Sequence, residues 1–154
     1  MTLQRILLGL VTSGISTLGF CMLMKLPPKR FPTAVIGGML TNLVYDLIAL
    51  SLGNLLLAAG SAAVFVALYS DIGARLMRTP AISLLIPCLI PIVPGSYLYY
   101  TIYHLFNQNI DGFVHYGKGA LQIGLGIAVG MSLASVLFNV SLYLWKQVKD
   151  RLPS

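Results

Sequence analysis

The chain has 154 residues, of which 57% are hydrophobic and only 9% charged, and its formal net charge is +6. A soluble domain carries about 25% charged residues, so this composition excludes a soluble catalytic domain and predicts one integral membrane domain over residues 1–154. The basic residues lie beside the apolar segments rather than in one patch, which argues against binding of nucleic acid.

Five apolar segments separated by short turns predict an all-α fold, a polytopic membrane helix bundle of about five spans. The fourth span is interrupted by proline and glycine. In chain order the predicted spans cover residues 6–24, 32–52, 55–76, 80–106 and 118–145, with a polar loop over residues 107–117 between the last two.

The distribution of basic residues predicts the orientation of the spans. Cytoplasmic loops of membrane proteins carry an excess of lysine and arginine. If the loop after the first span is cytoplasmic, the basic residues fall on the two sides as follows: Lys25, Lys29, Arg30, Arg75, Arg78, Lys146, Lys149 and Arg151 inside, and Arg5 and Lys118 outside. The chain is therefore predicted to begin outside the cell and to end in the cytoplasm.

The second span carries a polar face built from Asn42 and Asp46, four residues apart. An ionisable side chain inside a span is costly and marks a candidate functional site. A carboxyl group at this depth suits either a coupling proton or the ammonium group of a substrate. The alternative is that Asp46 lies hydrated near the interface or pairs with a base on a partner.

The fourth segment is the most unusual part of the chain, because Pro87, Pro91, Pro94 and Gly95 lie in its middle and predict three interruptions of the helix, one at each proline. Each proline removes a backbone donor, and a freed carbonyl in hydrocarbon must be covered by protein or water. Broken helices of this kind line substrate sites in transporters. The candidate pathway or substrate-binding residues are Pro87, Pro91, Pro94, Gly95, Ser96, Tyr97 and Tyr100. The alternative is a kinked packing helix without a ligand.

Small residues recur every four positions in the fifth span, at Gly126, Gly130 and Ala134, and residues 58–63 form a second small-residue surface. Such surfaces let helices approach closely. They predict a partner, either a second copy or another subunit, unless they pack against each other. Neither the cysteines nor the histidines have metal-ligand spacing, so no metal and no cofactor are predicted.

The stretch from Ile86 to Ser96, IPCLIPIVPGS, followed by Tyr97, resembles the signature hxPxhhPhhPGxxxY of the threonine/serine exporter family. The signature maps onto Pro87, Pro91, Pro94 and Gly95, and onto one of the tyrosines at positions 97, 99 and 100. The chain is similar to the shorter, C-terminal half of full-length members, which in split pairs is a separate subunit, as in the paired succinate exporter.

The resemblance implies a subunit of a secondary exporter in a bacterial inner membrane, acting with a longer membrane subunit and driven by the proton gradient. It implies threonine and serine as substrates, or small dicarboxylates such as succinate. A non-transporting membrane scaffold is the alternative function, and a homo-oligomer is an alternative assembly. No enzyme is predicted, because no nucleophile and base are paired.

Overall fold

The computed structural model describes the backbone of residues 2–151, and the side chains in that range except at positions 2, 3, 5, 139 and 141–151. The described chain is helical and contains no strand, which confirms the predicted all-α bundle. Its helices are α1 (Thr2–Leu23), α2 (Phe31–Leu52), α3 (Leu55–Met77), α4 (Ile82–Leu89), α5 (Gly95–Phe106) and α6 (Ile110–Arg151), with 3₁₀ turns at Pro28–Arg30 and Ile90–Ile92.

Four helices among the described residues, α1, α2, α3 and α6, are long and apolar enough to cross a membrane. The fifth candidate is a bent pair, in which α4 with its following 3₁₀ turn meets α5 at 51°. These helices agree with the prediction of about five spans with a broken fourth.

Short polar signals end one helix and begin the next between α2 and α3. Gly53 adopts a left-handed conformation with φ of 60°, which ends α2 as glycine commonly does. The Asn54 side chain then accepts hydrogen bonds from the N–H groups of Leu56 at 3.0 Å and Leu57 at 3.3 Å, and so caps α3. The turn needs no charged residue, so it can lie close to the membrane surface.

The helices α1, α2, α3 and α6 pack side by side in the order α1–α2–α3–α6. Helix α4 packs against α1, α2 and α3, whereas α5 packs chiefly against α6. The broken segment therefore divides its contacts between the two sides of the bundle, and the break falls between them.

Helices α3 and α6 come into backbone contact through glycine. A Cβ atom on Gly126 would lie 2.5 Å from the carbonyl oxygen of Leu56, and one on Gly130 would collide with the carbonyl oxygen of Gly60. The same Cβ on Gly130 would lie 2.9 Å from the Cβ of Ala63. The two small-residue surfaces predicted from the sequence thus pack against each other.

These contacts also fix the direction of the two helices. Gly126 meets the beginning of α3, while the guanidinium of Arg75, near its end, lies 4.7 Å from the ring centroid of Phe138. Helices α3 and α6 therefore run in the same direction. The segment between them must carry the chain from the end of α3 back to the level where α3 begins, so its net course is across the bundle.

One side chain from α4 and one from α3 bond to backbone carbonyls in the first turn of α2. The Cys88 thiol donates to the carbonyl of Ala34 at 3.2 Å. The hydroxyl of Tyr69, on α3, donates to the carbonyl of Thr33 at 2.7 Å. Gly37 has no room for a side chain, because a Cβ there would lie 2.7 Å from the Cys88 sulfur.

The predicted polar loop at residues 107–117 is wrong, because α6 already begins at Ile110. Its polar residues form a helix start: the Asn109 side chain accepts from the N–H of Gly112 at 3.0 Å, and Asp111 lies in the first turn, where a negative charge is favoured. The ring of His104 packs over Gly112, and Tyr116 stacks on His104 with centroids 5.3 Å apart. The polar sequence that was interpreted as a loop therefore caps the start of α6.

We predict that Gly130→Ala destabilises the fold by about 1–3 kcal/mol, because the added methyl forces α3 and α6 apart. Gly124→Ala is the matched control, since nothing lies within 4 Å of a Cβ at that position. It should leave stability unchanged or raise it by up to about 1 kcal/mol through helix propensity. Unfolding by sodium dodecyl sulfate, followed by circular dichroism in micelles, measures both. Equal stability of the two variants would contradict the close approach.

Candidate functional site

A cavity of about 350 Å³ lies where the break meets the last turns of α2 and the first residues of α3, and we call it the Asp46 cavity. Its polar lining comes from Tyr45 and Asp46 on α2 and from Ser96 and Tyr97 on α5. Its apolar walls are Ile6, Ala49, Leu50, Leu55, Ile123 and the turn from Pro91 to Pro94. The two candidate sites of the sequence, the α2 carboxyl and the proline-broken segment, therefore line one space.

The break itself is short. After the 3₁₀ turn, Val93 is extended, with φ of −62° and ψ of 130°, and Pro94 precedes the first residue of α5. The N–H of Val93 donates to the carbonyl of Ile90 at 3.1 Å, and the N–H of Gly95 donates to the carbonyl of Val93 at 2.8 Å. Local bonds thus satisfy part of the backbone that the prolines release.

The sequence predicted three interruptions, but Pro87 does not end a helix. It lies inside α4 and is fully buried. Only Pro91, in the 3₁₀ turn, and Pro94, before α5, mark boundaries. A proline inside a helix loses one hydrogen bond, and here the tight packing of α4 against its neighbours keeps the helix continuous.

The first turn of α5 offers hydrogen-bond donors to the Asp46 cavity. The N-cap position is Pro94, whose side chain makes no capping hydrogen bond. The first N–H groups of a helix have no partner within the helix, and they form the positive end of its dipole. Ser96 and Tyr97, in that first turn, line the cavity, so this end of α5 is suited to a carboxylate.

Asp46 is fixed by its own helix. The Nδ2 of Asn42 donates to its Oδ2 at 2.9 Å, across one helical turn. Gly9 of α1 lies over the pair, and a Cβ there would be 2.9 Å from both atoms. Gly9 was not identified from the sequence. A glycine in an apolar span gives little signal of what lies opposite it.

Four predicted site residues lie outside this cavity, namely Asn42, Pro87, Gly95 and Tyr100. Tyr100 stacks on Tyr116 of α6, with ring centroids 5.1 Å apart, in an aromatic cluster along the α5–α6 pair. Gly95 begins α5, and a Cβ at this position would have no neighbour within 4 Å. Its contribution is to the turn rather than to the lining.

Asn42 lines a different and more open cavity of about 280 Å³, which we call the hydroxyl groove. Its other residues are Thr12, Ser13 and Ser16 of α1 and Ile90 and Pro91 of the break. Pro91 is shared by the two cavities, and the Asn42–Asp46 hydrogen bond joins them. The hydroxyls of α1 were not identified from the sequence, although their spacing of three to four residues within a span was the available signal.

Comparison with known families gives one match. The family model described as "Threonine/Serine exporter, ThrE" matches residues 9–137, which is most of the chain and includes every lining residue of the Asp46 cavity except Ile6. No curated protein and no solved structure matches the chain.

The geometry predicts that the Asp46 cavity is accessible to water. A cysteine introduced by Ser96→Cys should react with a water-soluble thiol reagent, because Ser96 is exposed in the cavity and thiols react as thiolates, which form in water. The native thiols, Cys21 and Cys88, are buried and should stay unmodified.

Leu47→Cys is the matched control, because Leu47 is 50% exposed on the apolar outer surface of α2. Its labelling in membranes should be at least about tenfold slower, since lipid excludes thiolate and reagent. Mass spectrometry of membranes labelled for increasing times gives both rates. Equal rates would show that the cavity is dry.

Proposed function

The chain belongs to the threonine/serine exporter family of membrane transporters, and on this premise we propose that it is a membrane subunit of a proton-coupled exporter of threonine and serine. The observation that carries the proposal is the position of the Asp46 carboxyl and the first turn of α5 in one cavity. Family membership points to a transporter rather than an enzyme, and the cavity offers groups that bind a substrate without reacting with it.

The two ends of the cavity suit the two charges of an amino acid. The unoccupied N–H groups of α5 would bind the α-carboxylate, as helix N-termini do. The Asp46 carboxylate lines the same cavity, and its negative charge would attract the ammonium group. Ser96 and Tyr97 also belong to this lining, and their hydroxyls would bond the hydroxyl of threonine or serine.

The same carboxylate bears on the choice of substrate class. A dicarboxylate such as succinate would place a second negative charge near Asp46, and like charges at close range repel. A zwitterion gains from both ends of the cavity. We therefore propose threonine and serine ahead of small dicarboxylates, which the family resemblance alone leaves open.

Proton coupling follows from competition at one carboxyl group. When Asp46 is ionised it attracts the substrate ammonium, and when it is protonated that attraction is lost. A proton arriving from outside would release the amino acid outward, and loss of that proton to the cytoplasm would restore binding. Among the described residues of the cavity lining, the titratable side chains besides Asp46 are those of Tyr45 and Tyr97.

We further propose the orientation that the charges predict, with the N-terminus outside and the C-terminus in the cytoplasm of a bacterial inner membrane. The parallel course of α3 and α6 supports a crossing fourth segment, which that orientation requires. A longer membrane subunit is the proposed partner. It would cover the apolar faces of the α5–α6 pair, where Tyr99 is 64% and Phe106 81% exposed; a homo-oligomer is the alternative.

We predict that Asp46→Asn abolishes proton-dependent export while keeping the shape of the side chain. Cells that lack the chain, complemented with each variant and loaded with labelled threonine, give the efflux rate at several external pH values. The variant should lose at least about tenfold in rate and most of its pH dependence. Asp71→Asn is the matched control. The Asp46 cavity contacts the beginning of α3, whereas Asp71 lies near the end of α3, beside Arg75 and Arg78. Unchanged pH dependence in Asp46→Asn would reject this role.

Substitutions at the break test whether the chain is a transporter or a scaffold. The double substitution Pro94→Ala and Gly95→Ala restores an N–H donor and favours a continuous helix, so it should close the cavity and reduce threonine efflux at least about tenfold. Membrane insertion should persist, because neither residue is buried. Protein of normal abundance with unchanged efflux would favour the scaffold function.

A further inference from the structure

The hydroxyl groups that line the hydroxyl groove already donate their hydrogen atoms to backbone carbonyls of α1. Thr12 donates to the carbonyl of Leu8 at 2.8 Å, Ser13 to that of Leu10 at 2.9 Å and Ser16 to that of Ser13 at 3.0 Å. Each hydroxyl carries one hydrogen and two lone pairs, so these side chains face a ligand as acceptors. Asn42 adds to this set, because its Nδ2 donates to Asp46 and leaves Oδ1 for the groove.

The backbone at the break adds to the same polarity. Ile90 and Pro91, which line the groove, lie immediately after the last turn of α4. The carbonyls of a last helical turn lack donors within the helix and form its negative end. Pro91 has no N–H and cannot donate to the carbonyl of Pro87 four residues before it. Helix α4 therefore directs negative partial charge toward the groove, while α5 directs positive partial charge toward the Asp46 cavity.

The depth of the groove is unusual for exposed polar groups. Asn42 lies eleven residues after Phe31, which is roughly 17 Å along α2, near the middle of a hydrocarbon layer of about 30 Å. Thr12 and Ser16 lie in the middle of α1, and both are exposed. Polar groups at this depth face water or protein rather than lipid.

We propose that the hydroxyl groove is a second binding site that holds a monovalent cation in a cage of neutral oxygens, next to the Asn42–Asp46 pair. A small cation is the ligand class that acceptor oxygens and a helix C-terminal end favour together. A divalent ion is less well matched, because the described residues of the groove lining include no carboxylate. The ligand chemistry is shared by a sodium ion and by the ammonium group of an amino acid.

This inference rests on the proposed function for its role in transport. A cation bound to Oδ1 of Asn42 would hold that side chain in place, and the Nδ2 of the same side chain donates to Asp46. The groove would thus fix the carboxyl group of Asp46 for binding in the neighbouring Asp46 cavity. Binding itself can be measured without export.

The test uses the purified full-length chain in lipid nanodiscs and labelled sodium, ²²Na⁺, at constant ionic strength with choline as the replacement ion. The double variant Thr12→Val and Ser16→Ala should lower the sodium affinity by about tenfold or more, since each lost oxygen ligand weakens a charged contact. The matched control is Ser132→Ala with Ser135→Ala. These α6 hydroxyls are also exposed and also donate to a backbone carbonyl of the preceding helical turn.

Competition identifies the cation. Sodium that stays bound at saturating threonine places an inorganic ion in the groove. Sodium displaced by threonine but not by N-acetylthreonine, which lacks the ammonium, places the ammonium there. Sodium affinity that is equal in the groove variant and the control overturns the proposal. The proposal is also overturned if the chain binds no sodium and the groove variant has an unchanged affinity for threonine. A chain that binds sodium in nanodiscs but restores no threonine efflux to the complemented cells would reject the proposed function and keep the groove.

Discussion

The structure depends on one constraint, that a polypeptide inside a bilayer must satisfy its backbone groups without water. The fourth segment breaks that pattern between Leu89 and Gly95, and the fold compensates for it. Helix α4 is bonded to α2 through Cys88 and packed under α3, while α5 lies on α6, and local hydrogen bonds satisfy part of the backbone between them. A break at this depth is stable only because both flanking half-helices are held separately.

The consequence of the break is a separation of partial charge. The end of α4 and the start of α5 carry opposite ends of two helix dipoles within a few residues of each other. Each adjoins its own cavity, and each cavity has matching side chains: acceptor oxygens around the first, and hydroxyls with one carboxylate around the second. The Asn42–Asp46 bond links the two. A chain with few charged residues thereby obtains a strongly polar interior from its backbone.

Glycine has two roles in this fold: it lets helices approach closely and it leaves room for polar side chains. Gly126 and Gly130 give α3 and α6 backbone contact, and Gly9 leaves the space above Asn42 and Asp46. In lipid, helices gain little from burying apolar side chains, so close approach and dispersion contacts supply the association energy. The parallel α3–α6 pair then fixes the course of the broken segment between them. The packing of small residues therefore helps to determine where the site lies.

The sequence by itself determined the helical class, the approximate spans and the broken segment, because hydropathy and proline act locally on the backbone. It also identified Asp46, Pro91, Pro94, Ser96 and Tyr97 as separate candidates. It misread the start of α6, since Asn109 and Asp111 serve equally as loop residues or as a helix cap. It predicted a break at Pro87 that packing prevents. Only the tertiary structure decided that Asp46 and the start of α5 share one cavity, that Tyr100 lies outside it, and that α1 hydroxyls line a groove beside it. These facts depend on how helices distant in the chain are placed, and a local pattern carries no information about which helix lies opposite.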